Sequence, residues 1–336
     1  MSSNVTVTSF TVSTLTFLSQ NVIIHLPIIL IFFGNLGCLC NYITFLQKLL
    51  RSNTCSLYSL CGSTADFLVL NVNLLQVYLS SAFQLGINYF ASTRFLCKFF
   101  LYLLVLLPQL STTFLLLSLI DRYACSCPLQ SKIRKINQYQ YARYLVASGI
   151  FYSMIASAHS PIFYDNIHGF CISTNPGLNS ILYIIFSGLL QPFLMLILFL
   201  MTYKNVLQSR QRISCSKGDS TSVLIGEKIL TIVVTAVLSL QWIIFYTYSM
   251  VTMNVLSSVE RQTIETFVSG LSNTIYYINN TKSFYLYTLS SDLFRKTLRR
   301  FIFKYVLHKP YLATTTQMNT LTNMFSVQVA NKTQQG

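Results

Sequence analysis

Apolar and polar positions divide the chain into seven long hydrophobic runs, at about 21–46, 56–82, 96–120, 142–163, 179–203, 228–252 and 264–289. Each run is continuous rather than alternating. Each is also long enough, at about 1.5 Å per helical residue, to cross a hydrocarbon core about 30 Å thick. The period-two alternation that a transmembrane barrel needs is missing from these runs. The pattern therefore predicts an all-α membrane protein, a bundle of seven transmembrane helices. After the last run, Phe294, Leu298, Phe301 and Ile302 share one helical face, while Arg295, Lys296, Arg299 and Arg300 occupy the other. Asp292 suits the start of that helix. This predicts a short amphipathic helix lying on the membrane surface rather than an eighth span. The expected organisation is a Ser/Thr-rich tail at 1–20, a seven-helix domain at 21–290, the interfacial helix at 291–305 and a polar tail at 306–336.

Composition agrees with this pattern. Only 9% of the 336 residues are charged and 53% are hydrophobic, whereas a soluble domain carries about a quarter charged residues to keep its surface wet. The net charge of +15 does not indicate a nucleic-acid partner. A nucleic-acid binder spreads its cations over one folded face, but here they lie in short runs between apolar stretches. With the N-terminus outside, nineteen of the 23 basic residues fall on inner connections or the C-terminal tail. Arg94, Lys98 and Arg261 remain outside, and Lys282 lies within the seventh run. This bias predicts an extracellular N-terminus and a cytoplasmic C-terminus.

The nine cysteines sort by the same topology. Cys38, Cys40, Cys55 and Cys61 lie in the first two runs or at their inner ends, and Cys125, Cys127 and Cys215 lie in reducing inner loops. Cys97, at the start of the third run, and Cys171, between the fourth and fifth, are left facing an oxidising exterior. One disulfide is expected there. Asn4-Val5-Thr6 is a glycosylation sequon on the outer tail, so Asn4 is the candidate acceptor.

The third run closes with Asp121-Arg122-Tyr123, 25 residues after Cys97. In this the chain resembles the rhodopsin-like G-protein-coupled receptors, and the resemblance covers about 20–304. It implies that Asp121 holds Arg122 at rest and that Arg122 is released toward a heterotrimeric G protein on activation. An arginine at the membrane boundary has five donors to satisfy and cannot discharge, so such a latch is physically reasonable. Gly34-Asn35 and Ala65-Asp66 resemble the family's central polar pair, and in relatives the Asp66 position belongs to an internal sodium and water pocket. Asp66 could instead be protonated or hydrogen-bonded to its neighbours. The internal network is expected to comprise Asn35, Asp66, Asn279, Lys282, Ser283 and Tyr287. Asp66 is the only acid at the depth of Lys282, so the two could pair; alternatively Lys282 snorkels its amine toward the inner interface. Gln191-Pro192 resembles the family's fifth-helix bulge proline, and Pro161 the proline that closes its fourth helix.

Several family features are altered. Asn-Pro-x-x-Tyr appears as Ser283-Phe284-Tyr285-Leu286-Tyr287, keeping only the tyrosine. The sixth run has no proline, Leu200 replaces an inner tyrosine, and Trp242 falls three residues before the usual position, which Phe245 holds. These departures resemble divergent invertebrate receptors related to neuropeptide (FMRFamide-like) receptors. Leu104 stands where amine receptors place an aspartate, and Tyr277 where opsins carry their retinal lysine, so neither an amine nor retinal is the expected ligand. The resemblance implies a ligand pocket around Leu104, Phe245, Tyr248, Asn273 and Tyr277, and an extracellular peptide as ligand. Asp165, Glu260 and Glu265 could favour a basic peptide, although ordinary solvated loop charges read the same way.

The expectation is a plasma-membrane receptor surrounded by lipid and coupled to G proteins, with no enzymatic activity, cofactor or metal. The rival readings are a multi-pass transporter, which should show internal repeats and broken helices, and a receptor-like chain that no longer signals. The four histidines are scattered rather than clustered for catalysis.

Overall fold

A computed structural model describes residues 2–51, 53–83, 93–127, 131–167, 170–213, 234, 237–238, 240–252, 255, 258–290 and 292–303. The residues around 214–233, the tail beyond 303 and Cys215 lie outside these, as do the side chains of Asn4 and Tyr287.

Among the described residues, five helices are long and apolar enough to cross a membrane: Val12–Phe45, Thr54–Ala82, Arg94–Ser126, Tyr139–Phe163 and Pro176–Asn205. They correspond to the first five predicted runs and are called spans 1 to 5. Residues 240–252 of the sixth run are helical. The seventh run forms the helix Val259–Thr281, followed by Ser283–Ser290.

Span 3 is the organiser. It packs against spans 2, 4 and 5 and against a hairpin of two strands, β1 (Tyr164–Ile167) and β2 (Phe170–Ser173). Its N-cap is Thr93, whose hydroxyl accepts from the Leu96 amide (3.2 Å). Pro108 lies inside it. One core cluster joins Ile31 and Cys38 to Leu70, Leu74, Leu107 and Tyr277, so that span 1, span 2, span 3 and the seventh helix meet. A second joins Tyr58 and Ala65 to Phe114, Leu117 and Ala142, from spans 2, 3 and 4.

Close helix approach depends on small residues. A Cβ on Gly34 would collide with Leu70, and one on Gly37 would meet Phe284 Cβ at 3.0 Å. Small residues at such contacts let helices pack where lipid supplies no hydrophobic drive between them.

Two spans contain a wider, π-helical segment, Val69–Leu74 in span 2 and Ile184–Leu190 in span 5. The second ends directly before Gln191-Pro192, where a bulge was expected. Pro192 has no N–H to give the preceding turn, so the local ladder must adjust. Pro161 lies in a short helix, His159–Phe163, that closes span 4 after an interruption at Ser157.

The N-terminal segment differs from its reading as a plain tail. Ser2–Asn21 is helical and leads through a 3-10 turn at Ile23–His25 into Leu26–Phe45. It packs against Val259–Thr281, and tertiary packing of this kind outweighs the low helix propensity of its Thr, Val and Ser residues.

A second compact unit begins at Asp292. Asp292–Phe301 is a ten-residue helix with Arg299 and Arg300 in its last turn, where cations suit the helix dipole.

Candidate functional site

At the hairpin end of span 3, Cys97 and Cys171 form a disulfide with Cα atoms 5.7 Å apart. Both are buried, with Leu101 beside them and Leu104 and Tyr164 packed against the cluster. Cys171 lies opposite Asn166 in the hairpin register. A second tie runs parallel to it. Arg94 Nε and Nη2 each donate to Asp165 at 2.7 Å, a bidentate pair.

That pair is exposed to solvent and titrates. The hydrogen bond from Arg94 holds the Asp165 carboxyl below its ordinary value of 3.8. A depressed carboxyl pKa adds stability that is present above the unfolded value and disappears as pH falls through the folded one. Backbone amides of Tyr164–Ile167 should therefore be well protected at pH 5 and, after correction for intrinsic rate, lose protection as pH falls below 3.8. Asp165→Asn should show the lower protection at every pH. Identical pH profiles for the two proteins would contradict this account.

Midway along the bundle, Asp66 is 4% exposed and accepts from three groups. Ser111 Oγ donates to Oδ1 (2.5 Å), Asn280 Nδ2 to Oδ1 (2.9 Å) and Ser283 Oγ to Oδ2 (3.1 Å). Asn280 also donates to Ser111 Oγ at 3.3 Å. Span 2, span 3 and the seventh helix thus converge on one carboxylate. Asp66 and Ser283 come together as expected, but the central asparagine is Asn280 rather than Asn279. Asn35 does not join them. It exchanges amide hydrogen bonds with Asn71 in span 2 (3.1 and 2.8 Å).

Lys282 lines the same cavity as Asp66, but the two do not form an ion pair. Ion pairs do form elsewhere, between Arg94 and Asp165 and between Arg261 and Glu265. The Lys282 ammonium turns back to Asn279, donating to its side-chain oxygen and, at 3.2 Å, to its carbonyl. That carbonyl is the acceptor the Ser283 N–H would use in an unbroken helix. A side chain entering the i→i−4 ladder interrupts it, so the seventh helix breaks at Lys282 although no proline is present.

A second polar cluster was not anticipated. Gln191 Nε2 donates to Thr113 Oγ1 (3.0 Å), and Ser153 Oγ does the same at 3.0 Å. Thr112 donates to Gln191 Oε1, and Ser187 Oγ to Gln109 Oε1 (2.9 Å). These bonds tie spans 3, 4 and 5 together. The available signal was two glutamines inside apolar runs, where an amide must find partners.

At the far end of span 3, Thr54 Oγ1 donates to Asp121 Oδ1 at 2.7 Å, and Asp121 is buried. One hydrogen bond to this carboxylate thus comes from span 2. Arg122 and Tyr123 follow in the last turns of the span, and Asn205 of span 5 reaches Ser126 Oγ at 3.3 Å.

The predicted pocket residues line neither of the two cavities described here. Leu104 packs by the disulfide, and its carbonyl accepts from Asn73 (2.8 Å). Tyr277 lies in the core, and Asn273 is half-buried. Phe245 and Tyr248 have ring centroids 6.5 Å apart. Tyr248 also donates to Glu265 (2.9 Å) and accepts from Arg261 (3.2 Å). The cavity between span 3, span 5 and the sixth and seventh helices is lined instead by Trp242, Tyr246 and Tyr276, with Pro108, Gln109 and Gln191. Trp242 packs 5.3 Å from Tyr276 and 6.2 Å from Tyr246 between ring centroids.

Five membrane-length apolar helices are consistent with a multi-pass membrane protein. Comparison with protein-family models and with curated proteins gives no match for the chain.

Proposed function

We propose that the chain is a rhodopsin-like G-protein-coupled receptor of seven spans, with its N-terminus outside the plasma membrane and its C-terminus in the cytoplasm. In this reading Asp292–Phe301 lies on the inner leaflet, and an extracellular peptide is the ligand. The observation that carries the reading is the layout of span 3. A disulfide fixes one end to the hairpin, a polar centre joins it to span 2 and the seventh helix at mid-depth, and Asp121-Arg122-Tyr123 closes the other end. Ligand contact near the hairpin and G-protein contact near Arg122 would be coupled through that centre.

The direct test expresses the protein in cultured cells and screens a neuropeptide library, reading calcium and cyclic AMP. A saturable response to one peptide group, absent from untransfected cells, is expected. Silence across the library in cells supplied with every G-protein class, with the protein at the surface, would favour a receptor-like chain that no longer signals.

A further inference from the structure

The connection from span 3 to span 4 gathers cations with no acid to answer them. Lys132, Arg134, Lys135 and Arg143 follow one another along it, and no Asp or Glu stands between Asp121 and Asp165. Lys132–Asn137 is a 3-10 segment packed against spans 3 and 4, and Lys132, Ile133 and Arg134 are exposed on it. Span 4 then begins at Tyr139, and its first turns carry three exposed tyrosines, Tyr139, Tyr141 and Tyr144, the last 75% exposed. The Arg143 guanidinium lies over the Tyr139 ring, 4.9 Å from its centroid. Stacked in this way, it keeps the donors on its edge free for an anion.

Depth places this patch at a lipid surface. Tyrosine rings collect at the headgroup level of a bilayer, and span 4, at 25 residues, exceeds the about 20 that the hydrocarbon core needs. Its first turn therefore stands among headgroups, with the basic 3-10 segment beside it. A cation run built only for solvation would not carry Ile133 and three tyrosines in the open. We propose that the patch docks on an anionic lipid whose single headgroup carries several phosphates, with Lys132, Arg134 and Arg143 on the phosphates and the tyrosines in the surrounding headgroup layer. Guanidinium forks match phosphate oxygens, and clustered cations beside a span favour one multiply charged headgroup over scattered single charges. That the leaflet is the cytoplasmic one rests on the orientation proposed above; the lipid chemistry does not.

Lys132 reports the patch directly, because its amine can be acetylated and the product located by mass spectrometry. Full-length protein is placed in nanodiscs of phosphatidylcholine alone, or with phosphatidylinositol bisphosphate, or with phosphatidylserine matched for total charge. The bisphosphate lipid should slow acetylation of Lys132 about fivefold, and matched phosphatidylserine less than about twofold. Lys98, at the hairpin end of span 3, should label at one rate in all three. Arg134→Gln combined with Arg143→Gln should abolish the protection of Lys132, with unchanged Lys98 labelling showing that the fold is kept. Equal protection by the two anionic lipids, or protection that survives in the double variant, would overturn the proposal. No protection by either lipid would also overturn it and leave the patch to an acidic protein partner. Both leaflets of a nanodisc hold the same lipids and no G protein is present. Protection in a chain that fails to signal would therefore leave the lipid assignment standing while removing the receptor reading.

Discussion

Cys97→Ala and Cys171→Ala should each lower the thermal stability of the detergent-solubilised protein sharply, and the double variant should be no worse than either single. The bond joins residues 74 apart in sequence, and closing a loop of that length corresponds to about 4 kcal/mol in the chain-entropy model. Losing it frees the hairpin end of span 3 from β2, leaving the exposed Arg94–Asp165 pair and the packing of Tyr164 to hold the hairpin to that span. Exposed pairs contribute little on their own, so Asp165→Asn cannot mimic the loss. Strictly additive effects of the two cysteine variants would show that their thiols act separately.

The second large effect belongs to Asp66→Ala. It withdraws one acceptor from three donors, on span 3 and the seventh helix, while the Asn280–Ser111 contact remains. An orphaned buried donor costs about 1–3 kcal/mol, and interhelical bonds within membranes are worth about 1 kcal/mol each. The melting temperature should fall by several degrees, with a smaller fall for Asp66→Asn, which keeps one carbonyl oxygen. Asn280→Ala should destabilise more than Asn35→Ala, because Asn35 bonds only Asn71. An Asp66→Ala protein as stable as wild type would mean that the three bonds contribute nothing.

Features that depend on the mean character of a segment were readable from the sequence. Five of the continuous apolar runs became membrane-length helices, and the segment beginning at Asp292 became a helix, because length and composition decide such elements regardless of rotation about the axis. The disulfide was readable because the expected topology left two thiols on one side. Features that depend on a single residue's direction were not. Asn279 and Asn280 are neighbours about 100° apart on the helix, and nothing local says which faces Asp66. The same ambiguity separates Phe245, paired with Tyr248, from Trp242, which faces the cavity. Charge and depth left a Lys282–Asp66 pair open, whereas a nearer acceptor on its own helix won. The helix at Ser2–Asn21 was hidden for another reason, since its packing partner lies in the last third of the chain.

If the chain is the receptor proposed above, Arg122 passes a signal from the hairpin end of the bundle to a G protein. Membranes carrying wild type or Arg122→Ala, matched for surface expression, are mixed with purified heterotrimeric G proteins and the peptide found in the screen, and guanine-nucleotide exchange is measured. The account predicts that wild type accelerates exchange and that Arg122→Ala reduces the acceleration by about tenfold or more, with peptide binding nearly unchanged because the two sites lie at opposite ends of span 3. Equal acceleration by both proteins, or loss of peptide binding together with exchange in the variant, would contradict it.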